Sequence, residues 1–322
     1  MMRVIVHGIG AIGGTVAAAL ALNGQEVVGI ARGAMLDAIR ADGLTFRSPG
    51  GVQVARFDCV DSPDAIALRP DDAILLCMKT QHTEAALDQL VAAGVTDQPV
   101  FCLQNGVENE RLALRRFGNV HAATVMMPAD FTTPGEVVSY GAPCYGIFDV
   151  GRYPGGSDAQ DRALVDLLTA ANMQSFVLDD VMASKFGKLL MNLGNIVRTA
   201  LGQADATAIV DAVRQEGEAV LRAAGIPRAT VDLSDPRRAE YMTSHPVAGA
   251  ARAGSSTAQS LLRGAGSIET DYLNGEIVLQ ARLAGVEAPL NRYCVELARR
   301  MLREGLAPGA VTPAEMTAAM GL

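Results

Sequence analysis

The sequence predicts an α/β protein, with a parallel, doubly wound N-terminal sheet carrying an antiparallel extension, followed by an all-α C-terminal domain. Three observations carry this. The apolar strand Val4-Ile5-Val6 runs through His7 into a glycine turn, Gly8-Ile9-Gly10-Ala11-Ile12-Gly13, and leaves it as a helix that lasts to Gly24. Short apolar runs then alternate with helical periodicity as far as residue 178. Beyond Asp179 nearly every segment has helical spacing.

The turn has the Gly-x-Gly-x-x-Gly spacing of a dinucleotide site. Its first glycine permits a tight turn, its second removes a Cβ where a pyrophosphate must come close, and its third lets helix and strand pack together. The helix N-terminus offers unpaired N–H groups and partial positive charge to the phosphates. Gly8, Ile9, Gly10, Ala11, Ile12 and Gly13 are therefore candidate cofactor-binding residues, and the N-terminal domain reads as Rossmann-type.

A second strand follows at Glu26–Ile30, then a short helix at Leu36–Ala41 and an extended stretch at Val52–Val60. The segment from Asp72 to Met78 is a buried strand that breaks at Lys79-Thr80-Gln81, and Thr83–Ala93 is helical up to Gly94. Pro99–Leu103 is another buried strand, running into Gln104-Asn105-Gly106. Between His121 and Val150 the apolar runs Ala122–Met127, Val137–Ser139 and Tyr145–Val150 are separated by Pro-Gly and Gly-Ala-Pro turns, as consecutive antiparallel strands extending the sheet would be. A helix at Asp161–Ala171 and a strand at Ser175–Leu178 close the first domain. The helices expected after it are Met182–Ala200, Asp211–Ala224, Ser255–Arg263, Ile268–Ala284 and Asn291–Arg303. Residues 1–178 are thus expected to form the cofactor-binding domain and 179–322 the helical substrate and catalytic domain, with ligand in the cleft between them.

Composition narrows the function. A chain of 322 residues suits two domains. Its net charge of −8, without a Lys/Arg block, argues against nucleic acid or an anionic membrane as partner. No apolar run approaches the roughly 18 residues of a membrane span, and no secretory signal precedes the first strand. Cys59, Cys77, Cys102, Cys144 and Cys294 are odd in number and lack metal or disulfide spacing, as do the four histidines, so reduced thiols, no metal site and a cytoplasmic location are expected. A homodimer is the default oligomeric state.

At the end of the second strand, where a carboxylate would hold the ribose of NAD, the chain has Arg32 and no acid before Asp37. A guanidinium matches the 2′-phosphate of NADP, so NADP(H) is the expected cofactor, with Lys79 as a second cation on the same rim. Further on, Lys185, Lys188, Asn192 and Asn195 recur at steps of three, four and three, which places them on one helix face opposite an apolar stripe of Phe186, Leu189, Leu190, Leu193, Ile196 and Val197. Spacing alone does not say whether that polar face meets solvent or a ligand.

The glycine turn, Arg32, Lys79, Gln104-Asn105-Gly106, Lys188-x-x-x-Asn192 and Glu269-Thr270-Asp271-Tyr272-Leu273-Asn274-Gly275 occur in the order found in the ketopantoate reductase (2-dehydropantoate 2-reductase) family, and the resemblance spans nearly the whole chain. It implies an NADPH-dependent reduction of a small 2-oxo acid, 2-dehydropantoate to (R)-pantoate, in pantothenate and coenzyme A synthesis. Lys188 would be the general acid, and with a reference pKa of about 10.4 a lysine is protonated at neutral pH. Asn105 would touch nicotinamide ribose and substrate, Asn192 and Asn195 the substrate, and Glu269 the cofactor. Ser255 and Ser256 resemble the family's substrate-carboxylate serines, and both stay candidates. Departures cluster around the substrate: Ile196-Val197 stand where the family commonly has Asn-Pro, and the serines continue as Thr257-Ala258-Gln259-Ser260 instead of Met-Leu-Gln-Asp. Two rival readings are a relative that reduces a different carbonyl and a non-catalytic NADPH sensor.

Overall fold

The computed structural model describes residues 2–322 apart from Thr132, Leu233, Ala253, Arg263 and Ala265, and does not describe the side chains of Ser256 and Leu262. In chain order, β1 (Arg3–His7) leads into α1 (Ala11–Leu22), and β2 (Val27–Ile30) into α2 (Gly33–Asp42). The hairpin β3 (Leu44–Ser48) and β4 (Gly51–Ala55) precedes β5 (Asp58–Val60), β6 (Asp72–Leu76), α3 (Thr83–Ala92), β7 (Val100–Cys102) and α4 (Asn109–Leu114). Next come β8 (Val120–Met126), β9 (Ala129–Asp130), β10 (Glu136–Ser139), β11 (Gly141–Pro143), β12 (Ile147–Arg152), α5 (Ala159–Ala170) and β13 (Gln174–Val177). The chain continues through α6 (Val181–Asn192), α7 (Asn195–Leu201), α8 (Thr207–Ala223), α9 (Pro236–Tyr241) and β14 (Met242–Ser244). It finishes with α10 (Ser256–Leu262), α11 (Asn274–Ala284), α12 (Pro289–Glu304) and α13 (Pro313–Met320).

Contacts divide the chain into two units, Met1–Ser184 with Leu233–Arg252, and Lys185–Asp232 with Ala253–Leu322. Among the described residues, no helix is long and apolar enough to cross a membrane.

The first unit is built on an eight-stranded sheet of order β13-β12-β8-β7-β6-β1-β2-β5. The six strands from β8 to β5 run parallel, and β12 adds antiparallel to β8 with β13 parallel beside it. Alternation along β1 sends Val4 and Val6 into a core shared with α1 and α5, and Ile5 into the opposite core with Leu87, Leu90, Ala113 and Phe117 near α3 and α4. A bidentate pair between Arg3 and Asp72, with both N–O distances at 2.7 Å, ties β1 to β6 in the buried sheet.

The antiparallel extension is made by β12 alone of the three segments expected to form it. Val137–Ser139 does not join the main sheet: as β10 it pairs with β3 and β9 in a separate sheet of order β4-β3-β10-β9. Close packing explains the position, because a Cβ on Gly14 of α1 would stand 2.7 Å from Val137 Cγ1. The extended stretch expected at Val52–Val60 is interrupted, and its partner β3 and the helix α4 were not foreseen.

Segment 233–252 belongs with the first unit, although a single boundary after residue 178 was expected. β14 pairs antiparallel with β11. Beside it, Arg237 donates to both oxygens of the fully buried Asp149 on β12, at 2.6 and 3.3 Å, and to Asp235. The Ser184 hydroxyl donates to the same Asp149 carboxylate at 2.6 Å, and the Arg237 guanidinium lies 5.2 Å from the centre of the Phe176 ring. At the other end of β8, His121 Nδ1 stands 2.7 Å from Asp161 Oδ1, while Asp158 and Asp161 form the capping box of α5. That cluster of one histidine and two acids is spent on structure.

The second unit, among its described residues, is helical. Helix α8 comes close to α6 at Gly217, whose Cβ would stand 3.1 Å from Leu190 Cδ2 and 2.6 Å from Cδ1 of Leu193, the residue after α6. Glu216 accepts the backbone N–H groups of Leu290 and Asn291 at the start of α12, at 2.9 and 2.8 Å. Two long helices expected from periodicity are each broken: α6 and α7 replace Met182–Ala200, and a 3-10 turn at Glu269–Tyr272 followed by α11 replaces Ile268–Ala284. The end of the helix expected at Ser255–Arg263 lies outside the described residues.

Asp149→Ala is expected to cost about 1–3 kcal/mol in urea unfolding. That is less than the roughly 3–5 kcal/mol for a fully buried pair, because Arg237 keeps Asp235 and some solvent. An unchanged urea midpoint would contradict this. His7, 4% exposed at the end of β1, has its pKa pushed down to about 4 by burial and then by the Arg32 charge. The unfolded chain takes up that proton near the ordinary 6.5, so stability is complete above pH 6.5 and falls as pH drops toward 4. Relative to His7→Leu, the wild type is expected to lose up to about 3 kcal/mol across that window, read by chemical denaturation at stepped pH.

Candidate active site

In the first unit the glycine turn is set by steric contact. Gly8 has φ +104°, and a Cβ there would lie 2.8 Å from Met78 N. A Cβ on Gly13 would lie 2.1 Å from Gly8 O and 2.8 Å from Cys77 Cβ, so the start of α1 sits directly on the end of β6. Gly10 is different: a Cβ there meets nothing within 4 Å. It is also the N-cap of α1 and provides no side-chain cap. The first-turn N–H groups of α1 therefore have no side-chain acceptor from the cap, and the turn opens to free space at Gly10, which is the arrangement of an anion cradle. Ile9 is buried, and its Cδ1 would stand 3.2 Å from a Cβ on Gly29, so it offers the cradle only its backbone.

Three other expected residues lie at the ends of parallel strands of the same unit. Arg32 follows β2, is exposed, and donates from Nη2 to Gln89 Oε1 of α3 at 3.1 Å. Lys79 follows β6, and Asn105 follows β7; both are half-buried. The sheet order puts β2, β1, β6 and β7 side by side, so the glycine turn, Arg32, Lys79 and Asn105 share one end of the sheet.

In the second unit the polar face of α6 is not a solvated face. Lys185 is 3% exposed, Asn192 6%, and Lys188 is half-buried, while Leu189, Leu190 and Leu193 bury the other side. Asn192 Nδ2 is buried without a hydrogen-bond partner. A buried amide N–H left in that state costs about 1–3 kcal/mol, which a ligand acceptor would recover.

The helix stops at Leu193-Gly194, so the three-four-three spacing does not carry Asn195 onto the face of Lys188. Asn195 opens α7, and its carbonyl accepts Thr199 Oγ1 at 2.7 Å. The break is supported from a distance: Asn274 Nδ2 donates to Leu193 O at 3.1 Å and to Asn291 Oδ1 at 3.0 Å. Asn274 is thus a supporting residue that sequence reading passed over, although it lies within Glu269–Gly275. A lone asparagine gives no sign that it satisfies a carbonyl freed 81 positions earlier.

Thr199 also links Asn195 to Ser255, whose Oγ lies 3.0 Å from Thr199 Oγ1 and accepts the Ala258 N–H at 3.2 Å. Since Thr199 donates to Asn195, Ser255 is the donor in this pair and serves as the cap of α10. Ser256 begins α10, and its side chain lies outside the described part. Glu269 is 8% exposed in its 3-10 turn, a buried acid.

Comparison with known proteins matches both parts of the chain. The family described as "Ketopantoate reductase PanE/ApbA" matches residues 4–155, and its C-terminal counterpart matches 180–302. A 2-dehydropantoate 2-reductase of Halobacterium salinarum is 28% identical over 312 residues, covering 94% of this chain and 100% of that protein. The crystal structure of a PanE/ApbA family ketopantoate reductase from Ralstonia eutropha JMP134 is 29% identical with a TM-score of 0.77, covering 95% and 99% of the two chains. D-mandelate dehydrogenase solved with NADH and anilino(oxo)acetate shares the fold, at TM-score 0.76 and 22% identity over 95% of this chain and 99% of that one. With matches running from the first strand almost to the end of α12, the chain belongs to the ketopantoate reductase family.

Proposed function

We propose that this chain is an NADPH-dependent reductase of a small 2-oxo acid, converting 2-dehydropantoate to (R)-pantoate for pantothenate synthesis. The observation that carries the reading is the buried polar face of α6, with Lys188 one turn before Asn192, whose buried Nδ2 has no hydrogen-bond partner. A binder without turnover would not need an ammonium there.

The first unit fits the cofactor. The open space at Gly10 and the N–H groups at the start of α1 suit a diphosphate. The Arg32 guanidinium suits the 2′-phosphate that distinguishes NADPH from NADH, and Lys79 adds charge at the same sheet end. Asn105 and Glu269 are the residues for the nicotinamide side. When bound, NADPH supplies the hydride that adds to the 2-oxo carbon of the substrate.

The chain's own work is polar and acid–base. Lys188 stabilises the negative charge that develops on the carbonyl oxygen, then gives it the Nζ proton, so the products are a 2-hydroxy acid and a neutral amine that solvent reprotonates. Asn192 Nδ2 donates to a substrate oxygen and so exchanges an unpaired buried N–H for a bonded one. Asn195 adds a second amide from the start of α7. Ser255 and Ser256 are both candidates for the substrate carboxylate, with the Ser255 hydroxyl also accepting the Ala258 N–H at the start of α10.

Oxidation of NADPH followed at 340 nm with 2-dehydropantoate and a panel of 2-oxo acids tests the assignment. Turnover of another panel member with none of 2-dehydropantoate would defeat the substrate, and NADPH binding without any turnover would defeat the enzyme. Lys188→Ala is expected to lower turnover roughly 10²–10⁴-fold with NADPH affinity retained, the usual scale for a general acid. Arg32→Ala is expected to weaken NADPH about 10–100-fold, the worth of a charged hydrogen bond, and to leave NADH nearly unchanged in calorimetric titration. Equal losses for the two nucleotides would remove Arg32 from its role.

A further inference from the structure

Lys79 and Asn105 occupy equivalent places in adjacent strand–helix units. Each follows the end of its strand, β6 or β7, and each stands four residues before the first residue of the next helix, Thr83 of α3 or Asn109 of α4. Those two helix-opening residues are fully buried and hydrogen-bonded to each other, with Thr83 Oγ1 donating to Asn109 Oδ1 at 2.8 Å.

The Asn109 amide is used on all sides. Its Nδ2 donates to the carbonyl of Asn105 at 3.0 Å and to Thr80 Oγ1, in the loop after Lys79, at 3.3 Å. Gln104 Nε2 donates to Thr83 Oγ1 at 3.1 Å, and Thr80 Oγ1 approaches Asn105 O at 3.4 Å. Thr80 and Gln104 are themselves buried, at 2% and 5% exposure. The orientation of the amide is settled by its partners, because the reversed amide would set its oxygen against the Asn105 carbonyl and leave the Thr83 hydroxyl without its acceptor. Such a closed buried network is rigid while complete and costly when one member is lost.

We infer that Asn109 is a positioning residue for the cofactor site, clamping the Lys79 and Asn105 loops to each other through Thr83 and Thr80. Its side chain touches the backbone of Asn105 and leaves that side chain to the ligand. This rests on the reductase reading for what Lys79 and Asn105 bind, but the clamp itself is made entirely of the chain's own groups. It also gives the residues after Gln104-Asn105-Gly106 a purpose: a residue that both accepts the Thr83 hydroxyl and reaches back four positions to the Asn105 carbonyl must be an amide, with a donor and an acceptor at one end.

The test uses substitutions that separate shape from hydrogen bonding. Asn109→Asp keeps the shape but sets an oxygen against the Asn105 carbonyl, and Thr83→Val keeps the volume but removes the hydroxyl. Thr83→Ser keeps the hydroxyl and loses only a methyl. NADPH affinity is measured by the change in its fluorescence, and amide hydrogen exchange is followed in the cofactor-free proteins.

Asn109→Asp and Thr83→Val are expected to raise the NADPH Kd and KM about 10-fold, the loss of one buried hydrogen bond, with kcat at saturation changed far less. Both are expected to lose exchange protection together at residues 79–83 and 103–109. Thr83→Ser is expected to bind NADPH like the wild type even if its melting temperature falls, an outcome a purely structural role would not produce. Wild-type binding accompanied by unchanged binding in Asn109→Asp and Thr83→Val overturns the clamp and leaves the reductase reading standing. Failure of the wild type to bind NADPH overturns that reading, and exchange in the cofactor-free proteins then decides the clamp: joint loss of protection upholds it, and protection unchanged or lost in one loop alone overturns it.

Discussion

The contact between the start of α1 and the end of β6 governs the chemistry of the first unit. At Gly13 there is no room for a single methyl group, because the Gly8 carbonyl and Cys77 already fill it. The first-turn N–H groups of α1 lack intrahelical acceptors, as at any helix start, and here the turn opens to free space at Gly10, where an anion can take them up. Gly10, at the same turn, has the reverse requirement, since the space beside it stays open. One motif thus combines two packing contacts with one deliberate opening, and the three glycines are not interchangeable.

The second unit follows the same principle through different groups. Burying the polar face of α6 costs desolvation at Lys185 and Asn192, and ordinary folding would place such residues outward. The cost persists because the opposite face, with Leu189, Leu190 and Leu193, is needed for packing, and a helix cannot bury one stripe and reposition the other independently. Asn192 carries a penalty of its own, a buried amide nitrogen with no acceptor. Sites that bind polar molecules commonly hold such unspent donors, and the break immediately after Asn192 lets Asn195 begin a helix with its own direction.

How much of this was legible follows the reach of each interaction along the chain. The strand–turn–helix at residues 4 to 22 is local, and glycine spacing with apolar alternation specifies it completely. The end-of-sheet placement of Arg32, Lys79 and Asn105 also follows from parallel strands in sequence order. The four-stranded sheet was not legible, because β10 pairs with β3 across nearly a hundred residues and neither strand has a pattern naming its partner. The break at Leu193-Gly194 was hidden for a similar reason: helical periodicity continues through it, and the group that stabilises the freed carbonyl, Asn274, lies far downstream. Ser255 shows the limit for site residues, since a serine before a helix has the same letter whether it caps that helix or greets a substrate.

The buried carboxylate of Asp149 has a topological consequence. It holds Ser184, where the chain departs from the first unit, and Arg237, shortly after the chain returns. Residues 185–232 are therefore an excursion with both ends moored to one side chain. No single cut in the sequence divides the protein into its two halves: a fragment ending at Ser184 would lack the guanidinium that neutralises Asp149 and the strand that covers β11, and its complement would carry both of these with nothing to receive them.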